Sequence, residues 1–367
     1  MVVRSSIKRT AHLWHRYERH LTTGALVAGF VFDLFIADRP DSTTNNLILL
    51  SYLAIAGGLI ILLNLRTERR REIQQNNEPL FFLVILQFCF GGLASNLLVL
   101  YGRSGTLAGS TLFLLLLGGM LVDNEFMRTR YAQLRFNIVV YYVLLFSYLL
   151  IAVPTFVLHA VGTWVFLVTG IMSLGAISLF LFFVYVLVFR GREREQQLYE
   201  VSVLVGLVFL LFNALYFLNI IPPVPLSLKD MGVYHEVTKT DPGVYVGTYE
   251  KSPWYMFWRD TSGVYTAEYN KQATCFSSVF APTGLMAPIF HRWERFDSAS
   301  GKWVTMSRIS FPISGGRGEG YRGWTLSSVD PGRWRCAVET QGGALIGRVS
   351  FVVVQGYTAP TLSTKTL

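Results

Sequence analysis

The chain is short of charge and shorter still of cysteine. Charged residues fill 15% of its 367 positions, against about a quarter in soluble domains, so an ordinary water-soluble globule is the first class to lose ground. Only three cysteines occur, with no CxxC pair, which excludes thiolate zinc frameworks and dense disulfide scaffolds. Cys89 lies inside an apolar run, leaving Cys275 and Cys336 as the pair that either forms a bridge or stays as two buried thiols. The GxxxxGK[ST], HExxH and GxSxG patterns are missing as well, so the common phosphate, zinc-protease and hydrolase chemistries have no anchor. Gly318 to Gly323 fits GxGxxG, but the following WTLSSVDPG promises a strand and a turn where a dinucleotide site needs a helix. A hairpin loop is expected there.

What the chain has in quantity is apolar length. Hydrophobic residues make up 52% and gather into runs near 21–37, 47–65, 80–101, 106–122, 136–158, 163–189 and 200–221, each close to the roughly 20 residues that cross a bilayer. About seven transmembrane helices are therefore expected over 21–221. Residues 1–20 place Ile7, Ala11, Trp14, Tyr17 and Leu21 at helical spacing among five Lys and Arg, a basic amphipathic segment suited to an anionic lipid surface. Asp33 interrupts the first run, as an intramembrane charge or as a group reaching the interface. Glu200 stands at the start of the last run, and Asn96 and Pro154 keep a polar path through the spans open as an alternative.

Orientation follows from the net charge of +9, because its arginines sit in short tracts between the apolar runs. The N-terminal segment, Arg66 to Arg71, Arg128 to Arg135 and Arg190 to Arg194 fall on one side, while the alternate loops hold little beyond Arg39 and Arg103. The positive-inside bias then puts the N-terminus in the cytoplasm and everything after 221 outside, in the periplasm of a bacterial inner membrane. The same distribution argues against nucleic acid as a partner.

Beyond the spans, Pro222, Pro223 and Pro225 close the last helix, and 222–262 reads as a membrane-exit linker. Within it Trp254, Tyr255, Phe257 and Trp258 form either an aromatic belt at headgroup level or ordinary packing. From Gly263 the pattern becomes strand and turn, with strands at 263–269, 273–281, 287–296, 302–312, 321–327, 333–340 and 345–354. Short strands punctuated by Gly and Pro predict an antiparallel, immunoglobulin-like β-sandwich over 263–356, with a flexible tail at 357–367.

The runs CFSSVFAPTGLMAPIFHRWERF, YRGWTLSS and PGRWRCAVETQGGALIGRVSFVV resemble a bacterial family catalogued only as domain of unknown function 2914. The segments IPPVPLSLKDMGVYH and PWYMFWR resemble the membrane-exit region of multi-span proteins that carry that domain. The resemblance implies a fold and a location, and it supplies no catalytic residues.

Strand alternation puts Ile289, His291 and Trp293 on one face, Arg322 and Trp324 on another, and Trp334, Cys336 and Val338 on a third. Converging at a mouth, His291, Trp293, Arg322, Trp324 and Trp334 would make an aromatic ligand site; converging inward, they would be core. No metal or cofactor is expected: His12 and His15 lie among arginines, and His235 and His291 show no carboxylate companion in the sequence. The expected role is a non-enzymatic envelope module binding a glycan, a lipid or a membrane protein. A transporter or channel, or a membrane-embedded transferase acting on lipid-linked substrates with His291 or a boundary carboxylate as base, is the alternative.

Overall fold

In the computed structural model the described residues are 39–73, 80–104, 113, 115, 119, 134–189, 194–241, 244–251, 263–267, 272–314, 320–356 and 360–367. Contacts divide the chain into two compact units, one helical and one built mainly of strands.

The helical unit contains α1 (Thr43–Ile73), α2 (Leu80–Arg103), α3 (Leu134–Ala152), α4 (Thr163–Leu187) and α5 (Arg194–Phe217). α1, α2, α4 and α5 each hold, and α3 forms together with the helical turn that continues it to Leu158, an apolar stretch of 23 to 25 residues, or about 35 Å of helix, enough to cross a hydrocarbon core of about 30 Å. The described residues thus give five candidate spans where about seven were expected. Of the two others, 21–37 lies outside the described residues, and 106–122 does too apart from helical positions 113, 115 and 119. Lipid-compatible side chains point outward, Ile171 being 70% exposed, as expected where helices face hydrocarbon instead of water. Polar groups instead turn inward and pair: Asn45 and Asn96 exchange amide bonds of 3.3 and 2.7 Å, and the Tyr101 hydroxyl donates to Ser147 O at 2.8 Å. Pro154 lacks a backbone donor, and α3 gives way there to a π-helical turn over Val153–Leu158. Glu200 pairs with Arg135.

The second unit has eleven described strands in three sheets. A five-stranded sheet runs β4 (Val264–Ala267), β10 (Leu345–Gln355), β9 (Gly332–Thr340), β6 (Met286–Asp297) and β7 (Lys302–Ser314). A three-stranded sheet runs β1 (Ser227–Tyr234), β5 (Ala273–Phe280) and β8 (Tyr321–Ser327), and a second runs β11 (Leu362–Thr366), β3 (Val244–Glu250) and β2 (Glu236–Asp241). Every residue of β5 is buried, which makes its sheet the middle layer. One face of β5 sends Cys275 toward Trp293, Trp334 and Phe351 of the five-stranded sheet. The other sends Phe276 among Tyr234, Val237, Tyr245 and Leu367.

The seven expected strands are all present. The immunoglobulin-like expectation holds only at the coarser level of layered β-sheets, since there are three sheets and β4 pairs with β10 in parallel. Two domain assignments change. The supposed linker 222–262 carries β1, β2 and β3, because β1 completes the middle sheet on β5 and the β2–β3 hairpin covers it. The supposed tail carries β11, paired with β3 and ending with Leu367 buried in the third cluster. The unit also includes Pro154–Val165, where Ala160 bridges to Met286 and Val161 packs on the cluster around Leu285 and Ile289.

Candidate functional site

His291 sits in the middle of β6 and is 0% exposed. Its Nε2 lies 2.8 Å from Ser277 Oγ on β5 and its Nδ1 2.9 Å from Thr325 Oγ1 on β8. The Trp293 indole donates to the same Thr325 oxygen at 3.1 Å. The network closes when Thr325 accepts from Trp293 and donates to Nδ1, leaving the Nε2 proton for Ser277. Burial holds the imidazole neutral, lowering its pKa from 6.5 to about 3.

A serine 2.8 Å from a histidine has the spacing of a nucleophile and its base. Here Ser277 is as buried as His291, so no substrate reaches the oxygen, and an imidazole with so low a pKa is a poor base near neutrality. Cys275, His291 and Cys336 also bring three ligand-type atoms within 4.8 Å. Cys275 and Cys336 are, however, joined as a disulfide with their Cα atoms 6.6 Å apart, and both imidazole nitrogens are already engaged. The arrangement pins the middle sheet to the five-stranded one and is core.

Of the five residues expected to make an aromatic site, three are thus brought together inside: His291, Trp293 and Trp334, whose indole donates to Asp330 O at 2.7 Å. The other two face away. On β8, Gly323 and Thr325 turn toward the core, so Arg322 and Trp324 project from the opposite face. Trp324, 38% exposed, meets the ring of Tyr245 edge-on at 5.4 Å, and the Arg322 guanidinium lies 5.9 Å from the same ring. Trp254, Tyr255, Phe257, Trp258 and Asp33 lie outside the described residues.

Two groupings were not read from the sequence. His235 does have a carboxylate companion: its Nε2 is 2.9 Å from Glu250 Oε1, the hairpin of β2 and β3 having carried Glu250 back alongside it. Glu250 also accepts from the Thr266 amide and hydroxyl, and His235 stacks on Tyr265 at 4.3 Å. His235, Glu250 and Tyr265 line a cavity of about 10 Å³, room for one water. Asp241-Pro242-Gly243, a turn tripeptide, was the signal that could have revealed the hairpin.

The second grouping covers the outer face of the five-stranded sheet. Glu294 and Glu339 are each only 3% exposed, yet neither lacks a counter-charge. Glu294 pairs with Arg335 and approaches Arg292 at 3.5 Å; Glu339 lies 2.9 Å from Arg292 and 2.8 Å from Arg308. Aromatic rings lie against the guanidinium groups: Arg308 over Phe290 at 4.1 Å, Arg335 over Trp303 at 4.3 Å and Arg333 over Phe296 at 4.7 Å. Its signal was the charge at every second position, as in Arg292 and Glu294 or Arg333 and Arg335, between core residues.

No curated protein and no solved structure matches this chain. Residues 287–353, the stretch from β6 to β10 that supplies both the buried histidine and the arginine face, match the family described as protein of unknown function (DUF2914).

Proposed function

We propose that this is an inner-membrane protein that displays its β unit on the periplasmic side as a non-enzymatic binding or scaffold module. The observation that carries the placement is the Cys275–Cys336 disulfide, since such bonds persist in oxidising compartments and are rare in the cytosol. The turn after α3 supports the same side: Ala160 and Val161 belong to the β unit, and the loop 159–163 carries no Lys or Arg, as an outer loop should. A binding role is favoured over a transferase because, among the described residues, the histidine poised beside a hydroxyl is sealed in the core.

Counting free thiols tests the placement. Protein denatured without reductant exposes one reactive thiol, Cys89, when the β unit matured in an oxidising compartment, and three when it did not. Three thiols in protein taken directly from acid-quenched cells would sink the periplasmic reading.

A second reading, transport through the spans, draws on the buried amides of Asn45 and Asn96 and on the bond from the Tyr148 hydroxyl to Asn46. Reciprocal satisfaction of the two amides suits helix-to-helix adhesion as well as a polar path. Asn96→Ala separates them: adhesion predicts lowered thermal stability, transport predicts lost flux at unchanged stability.

A further inference from the structure

The outer face of the five-stranded sheet is built as a docking surface, and we infer that it receives an acidic protein partner. The register puts Arg348 opposite Ala337, Ala337 opposite Arg292 and Arg292 opposite Arg308, a row of arginines across four strands interrupted only by a small residue. Arg335 and Arg333 continue the face along β9. Among the described residues, five arginines against Glu294 and Glu339 leave three positive charges in excess on one side of one sheet. Arginine, unlike lysine, offers a planar fork of donors matched to carboxylates.

Four of these guanidinium groups are held before any partner arrives. Arg292, Arg308 and Arg335 are anchored on the buried carboxylates, and Arg308, Arg333 and Arg335 lie on rings. Fixed side chains lose little rotamer freedom on binding, which is where preorganised surfaces gain affinity. Arginine and aromatic residues are also the types enriched in protein interfaces.

Three features choose among anionic partners. The face is a sheet surface without a cavity among the described residues large enough for a small molecule, whose sites are concave. Phe290, Phe296 and Trp303 already carry a guanidinium, so the face does not offer the bare rings on which sugars stack. Beside the arginines, Val352 and Val354 of β10 and Val264 of β4 are 41%, 40% and 43% exposed, an apolar strip that a protein partner buries and a charged glycan does not. The occupant is therefore a protein segment that sets Asp or Glu carboxylates beside apolar side chains.

The inference rests on the binding-module reading but is measured separately from it. Full-length protein in nanodiscs of zwitterionic lipid is titrated with peptides of repeated Glu-Glu-Val, and in parallel with Lys-Lys-Val peptides, polygalacturonate and vesicles containing phosphatidylglycerol. The Glu-Glu-Val peptide binds, binding weakens with salt, and Arg333→Gln combined with Arg348→Gln, which leaves the buried carboxylates paired, reduces affinity about tenfold. Arg322→Gln, on the middle sheet, changes nothing. Absence of binding, equal affinity in the double variant, or tighter arginine-dependent binding to polygalacturonate or the vesicles overturns the inference. Because binding is read on purified protein, its failure is distinct from a thiol count that places the β unit in the cytoplasm.

Discussion

His291 shows how a side chain that draws the eye in a sequence can be defined by its surroundings. Its folded pKa, about 3, lies below the unfolded value near 6.5, so the unfolded chain binds the proton first as pH falls. Its contribution to stability is complete above pH 6.5 and is lost progressively down to pH 3, by at most about 5 kcal/mol. His291→Gln, which keeps polar atoms in the site, is expected to lower the melting temperature at pH 7.5 and to flatten its decline between pH 6.5 and 4 in detergent-solubilised protein. An unchanged slope would remove the histidine from the acid sensitivity. The buried carboxylates are the other exposed point of the ledger of charges. Glu294→Ala removes the carboxylate that Arg335 pairs with, while Arg292 keeps Glu339, and is expected to cost about 3 kcal/mol, read by denaturant titration of the β-unit tryptophan signal. At this scale the sequence was legible in part. Alternation assigned His291 with Trp293, and Arg322 with Trp324, to common faces, and both pairs do share a face. Which face looks inward depends on layers stacked above and below, and no local spacing carries that.

Strands differed in legibility for a physical reason. β5 to β10 are rich in β-branched and aromatic residues between Gly and Pro turns, a local signal. β1 and β2 instead mix Lys229, Asp230, Glu236 and Lys239 into their strands, and β11 reads LSTKT. These form through long-range pairing, β1 on β5 and β11 on β3, where backbone bonds and a few inward side chains do the holding. Removing residues 362–367 is therefore expected to be costly, although the segment reads as a tail. It unpairs the edge of β3 and takes Leu367 from Tyr234, Val237 and Phe276, and limited proteolysis should then cut within 236–250. Survival of that hairpin would show that β11 is dispensable. Close approach between strands gives a second test. A Cβ at Gly323 would lie 2.6 Å from the Phe311 ring, so Gly323→Ala must push β7 from β8 and is expected to cost about 1–3 kcal/mol, measured by the same titration.

For the whole molecule, the orientation proposed from the arginine distribution and the disulfide makes a prediction for 106–122, of which positions 113, 115 and 119 are described. Following the positive-inside bias, α2 runs outward to Arg103, whereas α3 starts from the inner cluster of Arg128, Arg130 and Arg135. The two directions are compatible only if the chain crosses the bilayer again between them, and 106–122 is the apolar run available. Without that crossing, α3, α4 and α5 all reverse. The loop holding Arg190 to Arg194 would then face outward, and the unit containing the Cys275–Cys336 disulfide would sit in a reducing compartment. On the proposed orientation, the basic loops and the Cys275–Cys336 disulfide both call for that crossing. Reporters inserted after Ser104 and after Arg130 are expected to read opposite sides of the membrane, as are reporters after Arg192 and after Leu367, which α5 alone separates. Agreement of the first pair with opposition of the second would remove 106–122 from the spans and bring the β unit inside, taking the disulfide's oxidising environment with it.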